Sequence, residues 1–259
     1  VFMIGIFRTT SAVCIYNVAL PTANLLVIVP TALMGLFMPI ITELYSKRKI
    51  NDVKDISIIT SKWIFFVNLP LFLIILLFSK QILNVAFGFE YAVGYSTLLI
   101  LIFGYMAYSL THPYNSILSM IKKTNLVLYI MLVTALTSII LGYILIPKIG
   151  IIGGAIATSF SLFISFLLSA IITYKLTKIQ TLKRNYFKAV FAGIISFFII
   201  YYISTFFNTN SFFLLILLSL LFLLVYFIFL IAFKGLDDRD KKTLFGFYNG
   251  FKKIIKKTT

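Results

Sequence analysis

Acidic side chains are what this chain has least of. Asp and Glu together number 7 in 259 residues, against 23 Lys and Arg, with one His and one Cys. None of the seven acids falls deep inside an apolar run. That excludes paired carboxylates for acid–base chemistry within a span, and any proton or sodium path through an intramembrane acid of this chain. The lone Cys14 excludes an internal disulfide and a cysteine-based metal site, and reads as a small packing residue. HExxH, GxSxG and the phosphate-cradling GxxxxGK[ST] are all missing. Asp237, Asp238 and Asp240 stand together, but acids opening a tail helix explain them better than a bound Mg²⁺. No catalytic residue, metal or cofactor is therefore assigned, and the chain is not read as an enzyme.

Charge of either sign is scarce as well. With 12% charged residues, 61% hydrophobic residues and a mean hydropathy of +1.07, a soluble globular domain is excluded. A net charge of +16 would suggest nucleic acid in a soluble protein. Here the basic residues lie between and after apolar spans, where membrane topology and anionic lipid account for them. The expected partner is membrane lipid, and nucleic acid is not one.

What is present is a series of spans long enough to cross hydrocarbon, which takes about 20 apolar residues in a helix. The chain opens at Val1 inside an apolar run, without an initiating Met or a basic leader, which suggests a fragment whose earlier part is missing. Residues 1–7 read as the end of one helix and 8–15 as its exit and turn. A proline-rich span follows, then apolar spans at 64–78, 97–121, 126–146, 151–174, 186–207 and 212–233. The fold class is an all-α polytopic membrane protein with about seven full transmembrane helices plus one partial. Lys and Arg favour cytoplasmic connections. Alternate connections hold only Arg8, Lys80 and Lys148 of the 23, so the C-terminus is expected inside.

The proline-rich span organises the rest. From Leu20 to Ile41 it has no ionisable side chain, yet it carries Pro21, Pro30 and Pro39, each of which removes a backbone donor and bends a helix. Asn17, Asn24 and Thr31 recur seven apart, and Pro21, Gly35 and Thr42 share their face. One side is thus polar or small, and the other apolar. A second polar stripe falls in GYMAYSLTHPYNSILSMIKK, where His112, Asn115 and Ser119 lie with Tyr105, Tyr108, Ser109 and Ser116 at helical spacing. Such a face points into a bundle or a watery cavity. His112 has two readings: a hydrogen bond to a neighbouring helix, or a group in a cavity that takes a proton near neutral pH. Arg8 has two also, snorkelling to headgroups or a cavity contact. Gly153, Ala157, Ser161, Ser165, Ser169 and Thr173 form a ridge of small residues that suits close helix packing. The last stretch spaces Leu244, Tyr248, Phe251 and Ile255 as an amphipathic face among lysines, suited to a membrane surface.

YNVALP and VPTALMGLFMP resemble the eighth transmembrane helix of prokaryotic polysaccharide flippases of the multidrug/oligosaccharidyl-lipid/polysaccharide exporter superfamily, including the Wzx-type and stage V sporulation protein B-like groups. ILNVAFGFEY resembles that family's short outer segment, IPKIGIIGGAIAT the opening of its twelfth helix, and KGLDDRD the start of its cytoplasmic tail. The resemblance implies the C-terminal half of a two-bundle flippase. Residues 1–175 would form the second bundle, 176–233 two appended helices, and 234–259 a basic cytoplasmic tail. It further implies a multi-pass protein of the plasma membrane that flips polyprenyl-diphosphate-linked oligosaccharide by alternating access, with the missing N-terminal bundle as its partner. On that reading His112 and Asn115 donate to sugar hydroxyls or diphosphate, with Asn17, Asn24, Thr31, Ser119 and Arg8 lining the same cavity. A multidrug exporter of the same superfamily, a membrane glycosyltransferase or polymerase subunit, and a non-transporting scaffold are the alternatives.

Overall fold

The computed structural model describes residues 1–179, 186–207 and 211–233. The proposed tail at 234–259 lies outside the described residues. Those described are helical almost throughout and include seven helices long and apolar enough to cross a membrane, preceded by a short one. The short helix is α1 (Phe2–Phe7). The first span is α2 (Thr10–Asn24) and α3 (Ile28–Ser46), joined by a 3₁₀ turn, Leu25–Val27. The second is α4 (Ile50–Phe87). The third runs through a 3₁₀ segment, Phe89–Gly94, into α5 (Tyr95–Ser109) and α6 (Thr111–Met120). Four single helices follow: α7 (Thr124–Ile149), α8 (Ile151–Thr177), α9 (Tyr186–Ser204) and α10 (Phe212–Ala232).

Several boundaries differ from those read in the sequence. The turn expected at 8–15 is only Arg8 and Thr9; the Thr9 hydroxyl accepts from the Ala12 N–H and starts α2 at once. The span expected at 64–78 lies within the 38-residue α4, which starts earlier, at Ile50, and kinks at Phe78, where the backbone leaves helical geometry (φ −111°, ψ 21°) before the helix resumes to Phe87. Its first turns absorb most of the supposed basic loop. Lys62 is accordingly buried, with its Nζ 5.3 Å from the centre of the Phe66 ring. The span expected at 97–121 is broken at Leu110, because Pro113 cannot donate to the Ser109 carbonyl.

α4 is the most buried span and α7 the least. Phe66, Leu69, Phe72, Ile75 and Phe78 of α4 join Ala19, Ala23 and Leu26 from the first span, Leu98, Leu101 and Ile102 of α5, and Phe222 and Tyr226 of α10 in one core. α9 and α10 pack on each other and on α4. In contrast, Leu128, Met131, Leu132, Leu136, Ile139 and Ile140 of α7 are exposed, as befits a helix whose solvent on one side is lipid. Many hydroxyls within the spans bond back to their own helix, as Thr22 does to the Val18 carbonyl, Ser57 to Val53 and Ser196 to Ala192, each at 2.8 Å.

The small ridge of α8 is buried along its whole length, from Gly153 to Thr173. α7 approaches it closely, and α5 approaches α8 on an adjacent face. A Cβ on Gly153 would stand 2.5 Å from the Leu145 carbonyl oxygen, and one on Gly104 of α5 would be 2.7 Å from the Ser159 Cβ. The bare surface at Gly104 also lets the Ser159 hydroxyl reach the Ile100 carbonyl at 2.7 Å.

Candidate functional site

The polar stripe of the first span faces away from the described bundle. Asn17, Pro21, Asn24, Thr31, Gly35 and Thr42 are all exposed, while Tyr16, Ala19, Ala23, Leu26, Pro30, Met34, Phe37 and Ile41 of the same span are buried. The Asn17 and Asn24 carboxamides have no hydrogen-bond partner among the described residues. Thr31 returns its hydroxyl to the Val27 carbonyl at 2.8 Å and keeps its outward lone pairs. The result is a row of amide and hydroxyl groups along an apolar span whose opposite face is buried. Hydrocarbon cannot solvate such a row, so it belongs against protein or water.

α6 packs between α3 and α8. His112 is half-buried and meets Tyr108 edge to face, with ring centres 5.5 Å apart. Its Nε2 is buried and has no hydrogen-bond partner among the described residues. Asn115 turns its Oδ1 to α8, where it accepts from the Ser169 hydroxyl at 2.9 Å, and leaves its NH₂ without a partner among the described residues. Ser119 is half-buried near the end of α6. Of the first stripe only Thr31 lies on α3, the helix that packs on α6, and it sits on the exposed face of α3 while Met34, Phe37 and Ile41 meet α6; Asn17 and Asn24 lie on α2. No hydrogen bond between described residues joins Asn17, Asn24 or Thr31 to His112, Asn115 or Ser119.

Arg8 has a partner that neither reading of the sequence supplied. Its Nε and Nη2 donate to the Ile146 carbonyl at 3.2 and 3.1 Å, and Nη2 also donates to the Pro147 carbonyl at 2.8 Å. These are last-turn carbonyls of α7, where a cation meets the negative end of the helix dipole. Arg8 lies across Gly150 and borders a cavity of about 690 Å³ with Phe7, Thr9, Ser11 and Ile15. A second cavity, of about 200 Å³, opens between α1, α2, α7 and α8. Its polar lining includes Tyr16, Ser138 and Thr158, and the Tyr16 hydroxyl lies 3.0 Å from that of Thr158 and 3.4 Å from the Gly154 carbonyl. None of these three was singled out in the sequence. The available signal was that Thr158 adjoins the small ridge and Tyr16 precedes Asn17. Among the described residues no three of His, Cys, Asp and Glu gather as a metal site would need.

Seven apolar spans and a buried small-residue seam define a multi-pass, all-helical membrane protein. The chain belongs to the MatE family, whose model matches residues 1–144. An uncharacterised membrane protein of Methanocaldococcus jannaschii is 30% identical over 203 residues, covering 76% of this chain and 39% of that relative. The probable low-salt glycan biosynthesis flippase Agl15 of Haloferax volcanii is 25% identical over 186 residues, covering 72% and 39%. Among solved structures, the lipid II flippase MurJ in its inward closed conformation has the same fold, with a TM-score of 0.64 at 21% identity, over 83% of this chain and 47% of that one. The chain therefore spans less than half the length of these relatives.

Proposed function

We propose that this chain forms one wall of a path by which the headgroup of a polyprenyl-diphosphate-linked oligosaccharide crosses the plasma membrane, while the lipid tail stays in hydrocarbon. Transport of this kind breaks no covalent bond, so the protein acts as a flippase and not as an enzyme. The observation that carries the reading is the exposed row at Asn17, Asn24 and Thr31, opposite the buried face of the span, with both carboxamides free of partners among the described residues. Sugar hydroxyls and phosphate oxygens are the groups such amides bind. Two relatives named as flippases, one by sequence and one by fold, favour the same reading. The opposite wall would come from a second bundle, with residues 1–175 as this one, 176–233 as two helices attached to it, and rocking between the bundles exposing the row to each side in turn.

The test uses full-length protein in liposomes and lipid-linked oligosaccharide as the probe. Asn17→Leu with Asn24→Leu is expected to slow translocation about tenfold or more, given about 1 kcal/mol per hydrogen bond made in transit. Thermal stability should be unchanged, since both side chains are exposed and unpaired in the bundle. Wild-type rates in the double variant would remove the row from the path.

Orientation follows from the basic connections. With Cys14 replaced by Ser, a cysteine at the exposed positions Lys122 or Lys178 should resist an impermeant thiol reagent applied to intact cells, whereas one at Lys148 should be modified. Modification at Lys178→Cys from outside would reverse the topology, including the expected cytoplasmic C-terminus.

A further inference from the structure

Each proline of the first span strands the carbonyl four residues earlier, so Pro21, Pro30 and Pro39 leave Asn17, Leu26 and Gly35 without an intrahelical donor. Two of the three stranded residues, Asn17 and Gly35, are exposed; Leu26 is fully buried. At Leu26 the helix departs from α geometry into the 3₁₀ turn Leu25–Val27, while around the other two it stays α-helical. Leu26 is also where another span intervenes. The Asn68 Nδ2, from the middle of α4, donates to the Leu26 carbonyl at 2.8 Å.

Asn68 is fully buried, and its Oδ1 has no partner among the described residues. An amide with half its bonding capacity idle is a poor way to stabilise an interior, and leucine would fill similar space without a polar atom to satisfy. Its specific contribution is a donor at the one buried carbonyl that Pro30 leaves bare. The neighbourhood is built for bending. The turn is packed by α4 and α5. α5 packs along α2 as well as along the turn.

We propose that Leu25–Val27 is a hinge in the transport wall and that Asn68 is its latch: a positioning residue that holds α2 and α3 at one angle. Released from Asn68, the segment carrying Asn17 and Asn24 tilts relative to the one carrying Thr31, which turns one continuous polar row into two. This rests on the transport reading given above. Discontinuous spans near the middle of the bilayer are where such motion is absorbed at least cost.

The test is a cycle of Asn68→Leu and Pro30→Ala in the full-length protein in lipid nanodiscs, with other cysteines replaced and spin labels at Ser11→Cys and Thr42→Cys. A straight helix would separate these positions by about 46 Å. Asn68→Leu is expected to broaden the distance distribution relative to the parent. Pro30→Ala restores an N–H to the Leu26 carbonyl, and should narrow the distribution and move it toward the straight-helix value. The double variant should match Pro30→Ala alone, since the latch is then redundant. An unchanged distribution in Asn68→Leu, or two substitutions that simply add, would overturn the latch. If Asn68→Leu fails to accumulate, recovery in the double variant supports the latch and continued failure overturns it. Translocation is read separately and should fall about tenfold in Asn68→Leu. Distances that change as expected without a change in flipping would keep the hinge and remove its part in transport.

Discussion

Gly104→Leu is expected to leave no folded protein in the membrane, and Gly104→Ala to lower the thermal unfolding temperature in detergent sharply. A side chain at this position meets the Ser159 Cα and Cβ, which belong to the backbone and stem of α8 and cannot rotate away. Overpacking a core commonly costs about 1–3 kcal/mol, and more where backbone must move. Here α8 would have to retreat, which also draws the Ser159 hydroxyl off the Ile100 carbonyl. Gly35 provides the control of opposite sign. A Cβ there meets nothing within 4 Å, so Gly35→Ala should stabilise by about 0.5–1 kcal/mol through helix propensity alone. Equal effects at the two glycines would mean that the α5–α8 seam is looser than described.

His112→Phe is expected to hold or raise stability while reducing translocation about tenfold or more. The two effects part company because of how the ring sits. The buried Nε2 has no partner among the described residues, and an unsatisfied buried polar atom costs about 1–3 kcal/mol. Phenylalanine fills the same volume, keeps the edge-to-face contact with Tyr108 and carries no such atom. A histidine that only supported the fold would gain from this change and flipping would be untouched. His112→Ala should also impair flipping, with a moderate loss of stability from the packing removed. Unfolding temperature and translocation rate, measured on the same full-length preparations, separate the two roles. If flipping persists in His112→Phe, the histidine is a packing residue.

The spans were legible because hydrocarbon imposes a simple demand, a run of apolar residues of fixed minimum length, and the chain meets it seven times. The α8 ridge was legible for a similar reason, since small residues every four positions can only serve one face. Lengths were less so. The end read at Phe78 coincides with the kink in α4, but the start read at 64 did not hold: α4 begins at Ile50, because a helix extends as far as its backbone can be satisfied, not as far as it is apolar. That Asn17, Asn24 and Thr31 share one face followed from spacing; that this face turns away from the described bundle did not. Nor did which proline of the first span produces a break, because that depends on burial, and burial is set by α4 and α5. Asn68 carries no local pattern and stood unnoticed in an apolar run. The clue to it was indirect, a proline-stranded carbonyl in need of a donor. Arg8 was conspicuous, but its carbonyl partners lie 138 and 139 residues away at the end of α7, beyond the reach of any window on the sequence.

The connection between α7 and α8 is a single residue, Gly150, at φ 65° and ψ −139°. No side chain is easily carried in that conformation, and the Arg8 guanidinium already occupies the space beside it. The corner is therefore closed to engineering: a peptide tag, a protease site or a split between co-expressed pieces placed there would pull the Leu145 carbonyl away from Gly153 and strip α7 of its arginine cap. The corner at Gly88–Glu90 is exposed, while Ala92 and Gly94 behind it are buried against neighbouring helices, so it is at that corner that the chain can be lengthened without unzipping α7 from α8.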